Sequence, residues 1–195
     1  RSQMVFIGNN LYIPQTINLR LGDKAIAESP IKVVIDTAEN IIKALPMRFP
    51  PLISCKDFGT VGAFGAEYSC CYDGNKFIYS FNADEDLYLT SIEHRSVEKK
   101  KAKSKYIENV TVFRSNEENF QKMVKAQCEH ASYGKILYDK YRNVYYRFVY
   151  PPCEIDDYTG DYVELLRSGR KNFSIMILDE NLNILGETFF PAYIY

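Results

Sequence analysis

The stretch Tyr68–Phe81, with the sequence YSCCYDGNKFIYSF, reads as a complete β-hairpin. Its two arms are rich in aromatic and other residue types that are common in strands, and its centre is the turn tripeptide Asp73-Gly74-Asn75. Glycine and asparagine tolerate the positive φ angles of tight turns, and an aspartate carboxylate accepts hydrogen bonds from backbone amides two or three residues on. This stretch therefore predicts two antiparallel strands joined by an Asx turn.

The same sequence motif occurs four times along the chain. An apolar or aromatic residue precedes an aspartate, and a second one follows six positions after it; the aspartates are Asp36, Asp73, Asp139 and Asp179. Each copy has a strand-like run on both sides, so we predict that it marks a hairpin and that its aspartate closes the turn. A ring of aspartates that binds metal is the alternative interpretation. The first and last intervals are roughly 40 residues, a period typical of solenoids and propeller blades.

Further strand-like runs complete the prediction of an all-β chain. They are Met4–Ile7, Leu11–Ile13, Ile31–Ile35, Ile41–Leu45, Leu87–Ile92, Ile136–Tyr138, Val144–Tyr150, Phe173–Leu178 and Ile184–Phe189. One segment differs, because Ser115 and Glu118 form a capping box and apolar residues then follow at helical spacing. We expect one short amphipathic helix over residues 116–129. Alternating lysines from Lys99 to Lys105 are typical of an exposed edge strand that avoids pairing with other chains.

The amino-acid composition limits the kinds of partner that this chain is expected to bind. The chain has 195 residues and a formal net charge of −1, which gives no electrostatic reason to expect nucleic acid or an anionic membrane surface as a partner. Its longest apolar runs are far shorter than the roughly 18 residues that span a bilayer. The five cysteines form no CxxC pair and have no histidine at metal-binding spacing. We interpret them as free, buried thiols and not as a zinc site.

The densest group of side chains that could bind a ligand lies in the third copy of this motif. Arg142, Tyr145 and Arg147 combine guanidinium groups with an aromatic ring, which can stack on a sugar and hydrogen-bond to it or to an anionic ligand. These three residues are the predicted ligand-binding set. Strand alternation places Tyr145 and Arg147 on one face and Tyr146 and Phe148 on the other, and one of those faces must belong to the core. The sequence leaves open which face meets a ligand.

The acidic segment Glu154–Asp161 contains the candidate metal ligands, Asp156, Asp157 and Asp161. Carboxylates are the hard oxygen ligands that calcium prefers, but the spacing differs from that of an EF-hand loop. A solvated insertion between strands is therefore the favoured interpretation, and no cofactor is expected. Neither His94 nor His130 has a nucleophile beside it in the sequence, and the chain contains no nucleophile elbow. No catalytic residue can be assigned from these patterns.

Three longer sequence segments resemble those of a known family. The segments Tyr72–Phe81, Tyr138–Phe148 and Leu178–Glu187 are similar to sequences of an uncharacterised family of secreted Bacteroidetes lipoproteins, a domain of unknown function that resembles six-bladed, TolB-like β-propellers. The resemblance extends from the region of residue 60 onward. It implies four-stranded antiparallel blades and an exported protein of the periplasm or outer membrane. Membrane attachment would depend on an N-terminal lipid anchor that is absent from this chain.

The number of strands predicts part of a propeller. A dozen strands make about three blades, whereas propellers close with four to eight. We therefore expect a single propeller-like domain over residues 1–195 that is the C-terminal part of a longer six- or seven-bladed propeller, or that pairs with another copy. A β-sandwich is the alternative fold.

Two functions are open at this point. The favoured hypothesis is a non-catalytic binding or scaffold module that presents propeller loops to a carbohydrate, peptide or protein partner. The alternative is a propeller-type hydrolase or lactonase with a metal in the central channel. Such an enzyme needs oxygen ligands that converge from several blades, so recurrent aspartates that bond only to turn amides would count against it.

Overall fold

Three antiparallel sheets of four strands each form the fold in the part of the chain that the computed structural model describes, residues 4–18, 20, 22–52, 67–156, 158–168 and 172–191. Sheet 1 contains β1 Val5–Ile7, β2 Asn10–Pro14, β3 Lys32–Asp36 and β4 Ile41–Ala44. Sheet 2 contains β5 Tyr68–Tyr72, β6 Phe77–Phe81, β7 Asp86–Thr90 and β8 Glu98–Lys101. Sheet 3 contains β9 Ser132–Asp139, β10 Val144–Tyr150, β11 Phe173–Leu178 and β12 Ile184–Phe190. The strands of every sheet lie side by side in chain order, so each sheet is a meander.

The hairpin predictions are confirmed. In the hairpin of β5 and β6, Tyr68 lies opposite Phe81 and Tyr72 lies opposite Phe77. Gly74 in the connecting turn has a φ of 102°, a conformation that residues with a side chain rarely adopt. Strand β8 is the edge of sheet 2, as the lysine pattern indicated. The sheets are therefore those of an all-β fold, as the sequence predicted.

Three short helices connect strands among the described residues: α1 Asp23–Glu28, α2 Phe120–Glu129 and α3 Tyr162–Ser168. The helix predicted over 116–129 is confirmed as α2, but it begins at Phe120. The reason is that the Asn119 side chain caps the first turn, with its Oδ1 3.1 Å from Lys122 N, while the Ser115 hydroxyl closes a separate turn before it. α1 and α3 were not predicted. None of these described helices is long and apolar enough to cross a membrane.

Side chains from neighbouring sheets fill two hydrophobic cores. The core between sheets 1 and 2 is mainly aromatic and includes Tyr12, Val34, Phe49, Tyr68, Phe77, Tyr79, Phe81 and Tyr88. The core between sheets 2 and 3 is mainly aliphatic and includes Ile78, Leu87, Ile136, Val149, Met176 and Leu178. β6 contributes to both cores, because successive side chains of a strand point to opposite faces of the sheet. Sheet 2 therefore lies in the middle of a stack, with sheets 1 and 3 on its two faces.

The connections between strands divide between two ends of the stack. The short turns that join β1 to β2, β3 to β4, β5 to β6, β9 to β10 and β11 to β12 form what we call the tight-turn end. The connections that carry α1, α2 and α3 lie at the opposite end, the long-connection end. Hydrogen bonds between the sheets show that these ends are aligned. The Tyr145 hydroxyl at the start of β10 bonds to Asp73 in the β5–β6 turn, and the Tyr68 hydroxyl at the start of β5 bonds to Gln15 after β2.

Candidate functional site

The four recurrent aspartates bond to turn amides, which confirms their predicted role. In each case Oδ1 accepts a hydrogen bond from the amide two residues on, at 3.0 Å for Asp36, 2.8 Å for Asp73, 2.9 Å for Asp139 and 2.9 Å for Asp179. The side chains thus close Asx turns at the tight-turn end. They belong to three different sheets, and the described part of the chain contains no ring of aspartates around a common centre.

Asp73 also connects two sheets. Its Oδ2 accepts a hydrogen bond of 2.5 Å from the hydroxyl of Tyr145, one of the predicted ligand-binding residues. The Tyr145 side chain is buried in the core between sheets 2 and 3. Burial, and after it the hydrogen bond to Asp73, raises the pKa of Tyr145, so the phenol stays protonated and remains a donor at neutral pH. The structure therefore uses Tyr145 to join sheet 3 to the β5–β6 turn.

Arg147, a second predicted ligand residue, is fully buried between sheets 2 and 3. Its guanidinium donates four hydrogen bonds of 2.7–3.0 Å; the acceptors are the carbonyl oxygens of Asp84, Glu85 and Ala102 and the hydroxyl of Ser80. It also lies 3.7 Å from the centre of the Tyr133 ring, within cation–π distance. Burial lowers the pKa of Arg147 to about 10, which leaves the group charged at neutral pH. This guanidinium holds sheet 3 against the β6–β7 turn and the end of β8.

The third predicted ligand residue, Arg142, lies in the exposed β9–β10 turn. Its Nη1 is 2.8 Å from Asp139 Oδ2, and this hydrogen bond lowers the pKa of the Asp139 carboxyl. Arg142 is thus at the tight-turn end, whereas Tyr145 and Arg147 point into the core. The three side chains are not brought together in one pocket. Ligand binding by these residues stays a prediction.

The acidic segment before α3 interacts with the helices where the structure describes it. Asp156 Oδ1 lies 2.9 Å from Lys125 Nζ on α2, and the Asp161 carboxylate accepts a hydrogen bond of 2.9 Å from Val163 N in the first turn of α3. The remaining candidate metal ligand, Asp157, lies outside the described residues. Among those described, no group of three or more carboxylate, thiol or imidazole side chains is arranged to hold a metal ion. Calcium binding here stays a prediction.

A buried polar cluster between sheets 1 and 2 was not found from the sequence. Lys32 on β3 is fully buried, with its Nζ 3.8 Å from Cys70 Sγ and 4.4 Å from the centre of the Phe77 ring. The ring of Tyr79 is also near this ammonium group, at 5.5 Å. On its other side, the Tyr79 hydroxyl lies 2.5 Å from Nε2 of the buried His94. We call these five residues the Lys32 cluster.

The protonation states of the Lys32 cluster are those of unreactive groups. Burial lowers the pKa of His94 to about 4, so the ring is neutral at neutral pH. Its Nδ1 donates to the carbonyl oxygen of Ile92 at 3.1 Å, which leaves Nε2 to accept from the Tyr79 hydroxyl. Burial also raises the pKa of the Cys70 thiol to about 11 and lowers the pKa of Lys32. A nucleophilic thiol needs a lowered pKa, so these electrostatics favour a structural role for the cluster.

A polar recess lies at the long-connection end, beside α2. Its lining includes Asn82, Thr111, Phe113, Gln127, His130 and Ser132. Gln127 is only 3% exposed, and its Oε1 has no hydrogen-bond partner in the part of the chain that the structure describes. His130, just after α2, places its Nε2 3.0 Å from the carbonyl oxygen of Thr111 and its ring 5.4 Å from that of Phe113. The recess has room for about one water molecule, so a single hydroxyl or N–H group would fit beside Gln127.

Comparison with known proteins identifies the family. A model of the family described as a domain of unknown function, DUF4221, matches residues 2–189. The chain belongs to the DUF4221 family. The crystal structure of a DUF4221 member from Bacteroides vulgatus matches the fold with a TM-score of 0.80 and 21% sequence identity, over 97% of this chain and 51% of the related chain. This DUF4221 chain therefore spans about half the length of that solved relative. No curated protein matches it.

The match confirms part of the resemblance found in the sequence, namely an uncharacterised domain family with a member in Bacteroides. At this level of identity the solved relative of the DUF4221 chain is informative about the fold alone. Two of the residues that were not predicted did leave a signal in the sequence. Strand alternation places Lys32 on the same face as the buried Val34, and helical spacing places Gln127 in the apolar stripe of α2. His94 follows a strand in an irregular segment, so no sequence pattern indicated that its side chain is buried.

Proposed function

We propose that this DUF4221 chain is a non-catalytic binding or scaffold module of an exported lipoprotein of the periplasm or outer membrane. In this proposal the three sheets are blades of a β-propeller, and the long-connection end meets a carbohydrate, peptide or protein partner. Binding residues are often carried by connections that a rigid scaffold positions. The long connections here are held by a stack of sheets whose own polar side chains serve internal contacts.

The observation that carries the proposal is the unpartnered Gln127 Oε1 in the recess beside α2. A buried polar atom without a hydrogen bond costs about 1–3 kcal/mol, and such atoms are rare in native proteins. A ligand hydroxyl or N–H group that enters the recess would supply the missing bond. The neighbouring Asn82, His130 and Ser132 add the polar groups that orient a sugar or a peptide amide.

The order of the strands supports the propeller arrangement. Four-stranded antiparallel meanders that follow one another along the chain and stack face to face are the units of a β-propeller. The solved DUF4221 relative is about twice as long as this chain, which is the length that three further blades require. The proposal therefore treats this chain as one half of a closed ring.

The recurrent aspartates do not support the enzyme hypothesis. A hydrolase or lactonase with a metal in a central channel needs free carboxylates, but the four recurrent aspartates bond to amides of their own turns. The Lys32 cluster contains a thiol, an amine and an imidazole, yet burial keeps the thiol protonated and the imidazole neutral. Both observations favour binding without catalysis.

Arrays of oligosaccharides and peptides test the proposal directly. We expect the wild-type chain to retain a ligand, and we expect a Gln127→Leu variant to bind that ligand at least about tenfold more weakly, because the substitution removes the acceptor oxygen. The variant should fold as stably as the wild type, since it removes an unpartnered buried atom. Gln121→Leu, at an exposed position of the same helix, is the matched control and should bind as the wild type does.

Two results would contradict the proposal. One is that the wild-type chain retains no member of either array. The other is that Gln127→Leu and Gln121→Leu bind equally well, because the recess would then have no part in binding. Conversion of the retained ligand into a product during incubation would favour the enzyme hypothesis instead, and liquid chromatography of the recovered ligand detects it.

A further inference from the structure

The outer face of sheet 1, which points away from sheet 2, is entirely apolar. Register and alternation place eight side chains on it: Met4, Phe6, Leu11, Ile13, Val33, Ile35, Ile42 and Ala44. Phe6, Leu11, Ile35 and Ile42 form one continuous row across the four strands. Phe6 is 68% exposed and Ile42 is 69% exposed. We call this surface face 1.

The outer face of sheet 3 is also mainly apolar, although the exposed Lys135 and Thr188 lie on it. Tyr145, Arg147 and Val149 point toward sheet 2, so the alternate residues of β10 and their cross-strand partners point away from it. The large side chains on this side are Leu137, Tyr146, Phe148, Phe173, Ile175, Ile177 and Phe190. Phe173 stacks on Phe190 with ring centres 4.8 Å apart, and Leu137 is 47% exposed. We call this surface face 3.

Sheets with one face open to water normally alternate apolar and polar residues, with the polar residues outside. Faces 1 and 3 break that rule at both ends of the stack. Sheet 2, which is covered on both sides, shows what such faces look like when they are packed, because each residue of β6 is buried. Large exposed apolar patches mark interaction surfaces. The composition of sheets 1 and 3 is therefore that of sheets covered on both sides.

We propose that each of these faces is covered by a second copy of this chain, with face 3 of one copy packed on face 1 of the other. The two existing interfaces, between sheets 1 and 2 and between sheets 2 and 3, join successive meanders face to face. Packing face 3 on face 1 of another copy continues that series with sheets of the same kind. Two copies related by twofold symmetry make the same contact twice and leave neither face open.

The number of sheets agrees with closure by two copies. Two chains supply six sheets, which is within the four to eight blades of known propellers. The solved DUF4221 relative, of which this chain covers 51%, has in one chain the length that two copies supply together. The inference rests on the propeller arrangement proposed above, but it does not depend on the ligand or on Gln127.

Sedimentation velocity of the 195-residue chain over a range of concentrations tests the inference. We expect a closed dimer as the largest species. A Phe6→Lys variant, which places a charge in face 1, should weaken the dimer by more than about 100-fold, because both copies of the contact are affected. Leu137→Lys, in face 3, should do the same. Tyr141→Lys is the matched control, since Tyr141 is 86% exposed in a turn that belongs to neither face, and it should leave the dimer intact.

Mixing the two monomeric variants identifies which faces meet. Phe6→Lys retains a native face 3 and Leu137→Lys retains a native face 1, so their mixture should recover a dimer through one intact contact. Circular dichroism of each variant confirms that it is folded. A wild-type chain that stays monomeric at the highest concentration would overturn the inference, as would open-ended polymers. A Leu137→Lys variant that still dimerises would also overturn it, because face 1 would then pair with itself.

Discussion

Two cations are buried between sheets in the described part of the chain, and the surrounding groups stabilise them to very different degrees. Arg147, between sheets 2 and 3, donates four hydrogen bonds and lies on the Tyr133 ring. Lys32, between sheets 1 and 2, is held by a thiol and two aromatic rings. Burial lowers the pKa of both side chains. The difference lies in how much of the lost hydration each environment replaces.

The contacts of a buried charge determine how much it contributes to the fold. A charge whose donors are matched by carbonyl oxygens fixes the position of the elements that supply them, so Arg147 determines how sheet 3 sits on sheet 2. A charge that lies mainly against aromatic rings is less well compensated, and hydrophobic replacement of such a group is often neutral. Both cations are fully buried and bond to groups of the protein itself. This is why the binding proposal rests on the long-connection end and not on the aromatic and basic residues of β10.

The largest effect is expected from Arg147→Met. The substitution leaves the carbonyl oxygens of Asp84, Glu85 and Ala102 buried without their donor, so we expect a loss of about 3–5 kcal/mol in the free energy of unfolding. Urea denaturation followed by circular dichroism measures it. Arg142→Met, on the same hairpin but exposed, is the control and should leave the midpoint almost unchanged. Equal effects of the two substitutions would contradict the role given to Arg147.

The second prediction concerns the pH dependence of stability that arises from His94, a member of the Lys32 cluster. The pKa of His94 is about 4 in the folded chain and close to 6.5 when unfolded, so between these values the unfolded state binds a proton that the folded state does not. Stability should therefore be complete above pH 6.5 and fall by about 2–3 kcal/mol as the pH drops toward 4.

Comparison with a His94→Asn variant isolates this contribution from that of the acidic residues. Asparagine tolerates the positive φ of 56° at this position, so the backbone can be retained. The difference in unfolding free energy between wild type and variant should shrink as the pH falls from 6.5 to 4. Gln121→Asn, at an exposed position, is the control; it removes no titratable group and should keep the pH dependence of the wild type. A difference that stays constant over this range would show that His94 is not buried as a neutral ring.

The third prediction compares two turns. Asp73→Ala removes the turn bonds and also the acceptor of the buried Tyr145 hydroxyl, so we expect a loss of about 2–3 kcal/mol. Asp36→Ala removes only turn bonds and should cost about 1 kcal/mol. Thermal unfolding of the two variants side by side checks this order. A larger loss for Asp36→Ala would mean that the contact between Asp73 and Tyr145 contributes little.

The smallest effect is expected from Lys32→Met. Methionine fills a similar volume among Cys70, Phe77 and Tyr79 and removes a poorly compensated charge, so the free energy of unfolding should change by less than about 1 kcal/mol. Because the folded pKa of Lys32 is below that of the unfolded chain, the wild type should gain stability relative to the variant as the pH rises toward 10.5. Denaturant titrations at neutral and alkaline pH measure both effects. A loss above about 2 kcal/mol would place Lys32 with Arg147 as a structural anchor.

The sequence predicted the local structure well because that structure is set by local chemistry. Aspartate, glycine and asparagine at fixed places specify the turns, and alternation specifies strands such as β10 and β11 within a residue of their ends. The helix after Asn119 was predicted with its start four residues early, since two capping groups precede it. The short helices α1 and α3 were not predicted, because tertiary packing outweighs propensity in segments of that length.

The candidate site was harder to predict because it depends on which face of a strand is covered. Alternation put Tyr145 and Arg147 on one face but could not show that sheet 2 packs against that face. The recess beside α2 combines residues from three separate segments, Asn82, Thr111 and Gln127 among them, and no local pattern joins them. For the recess, the one signal in the sequence was the polar Gln127 in the apolar stripe of α2.

Hydrogen–deuterium exchange in the presence of the ligand retained on the arrays shows whether the long-connection end binds that ligand while the rest of the stack has a structural role. We expect the ligand to protect amides around Thr111, in α2 and beside Asn82, with little change in the turns after Asp73 and Asp139. Protection confined to those two turns would contradict it, because the ligand would then bind at the tight-turn end near Arg142.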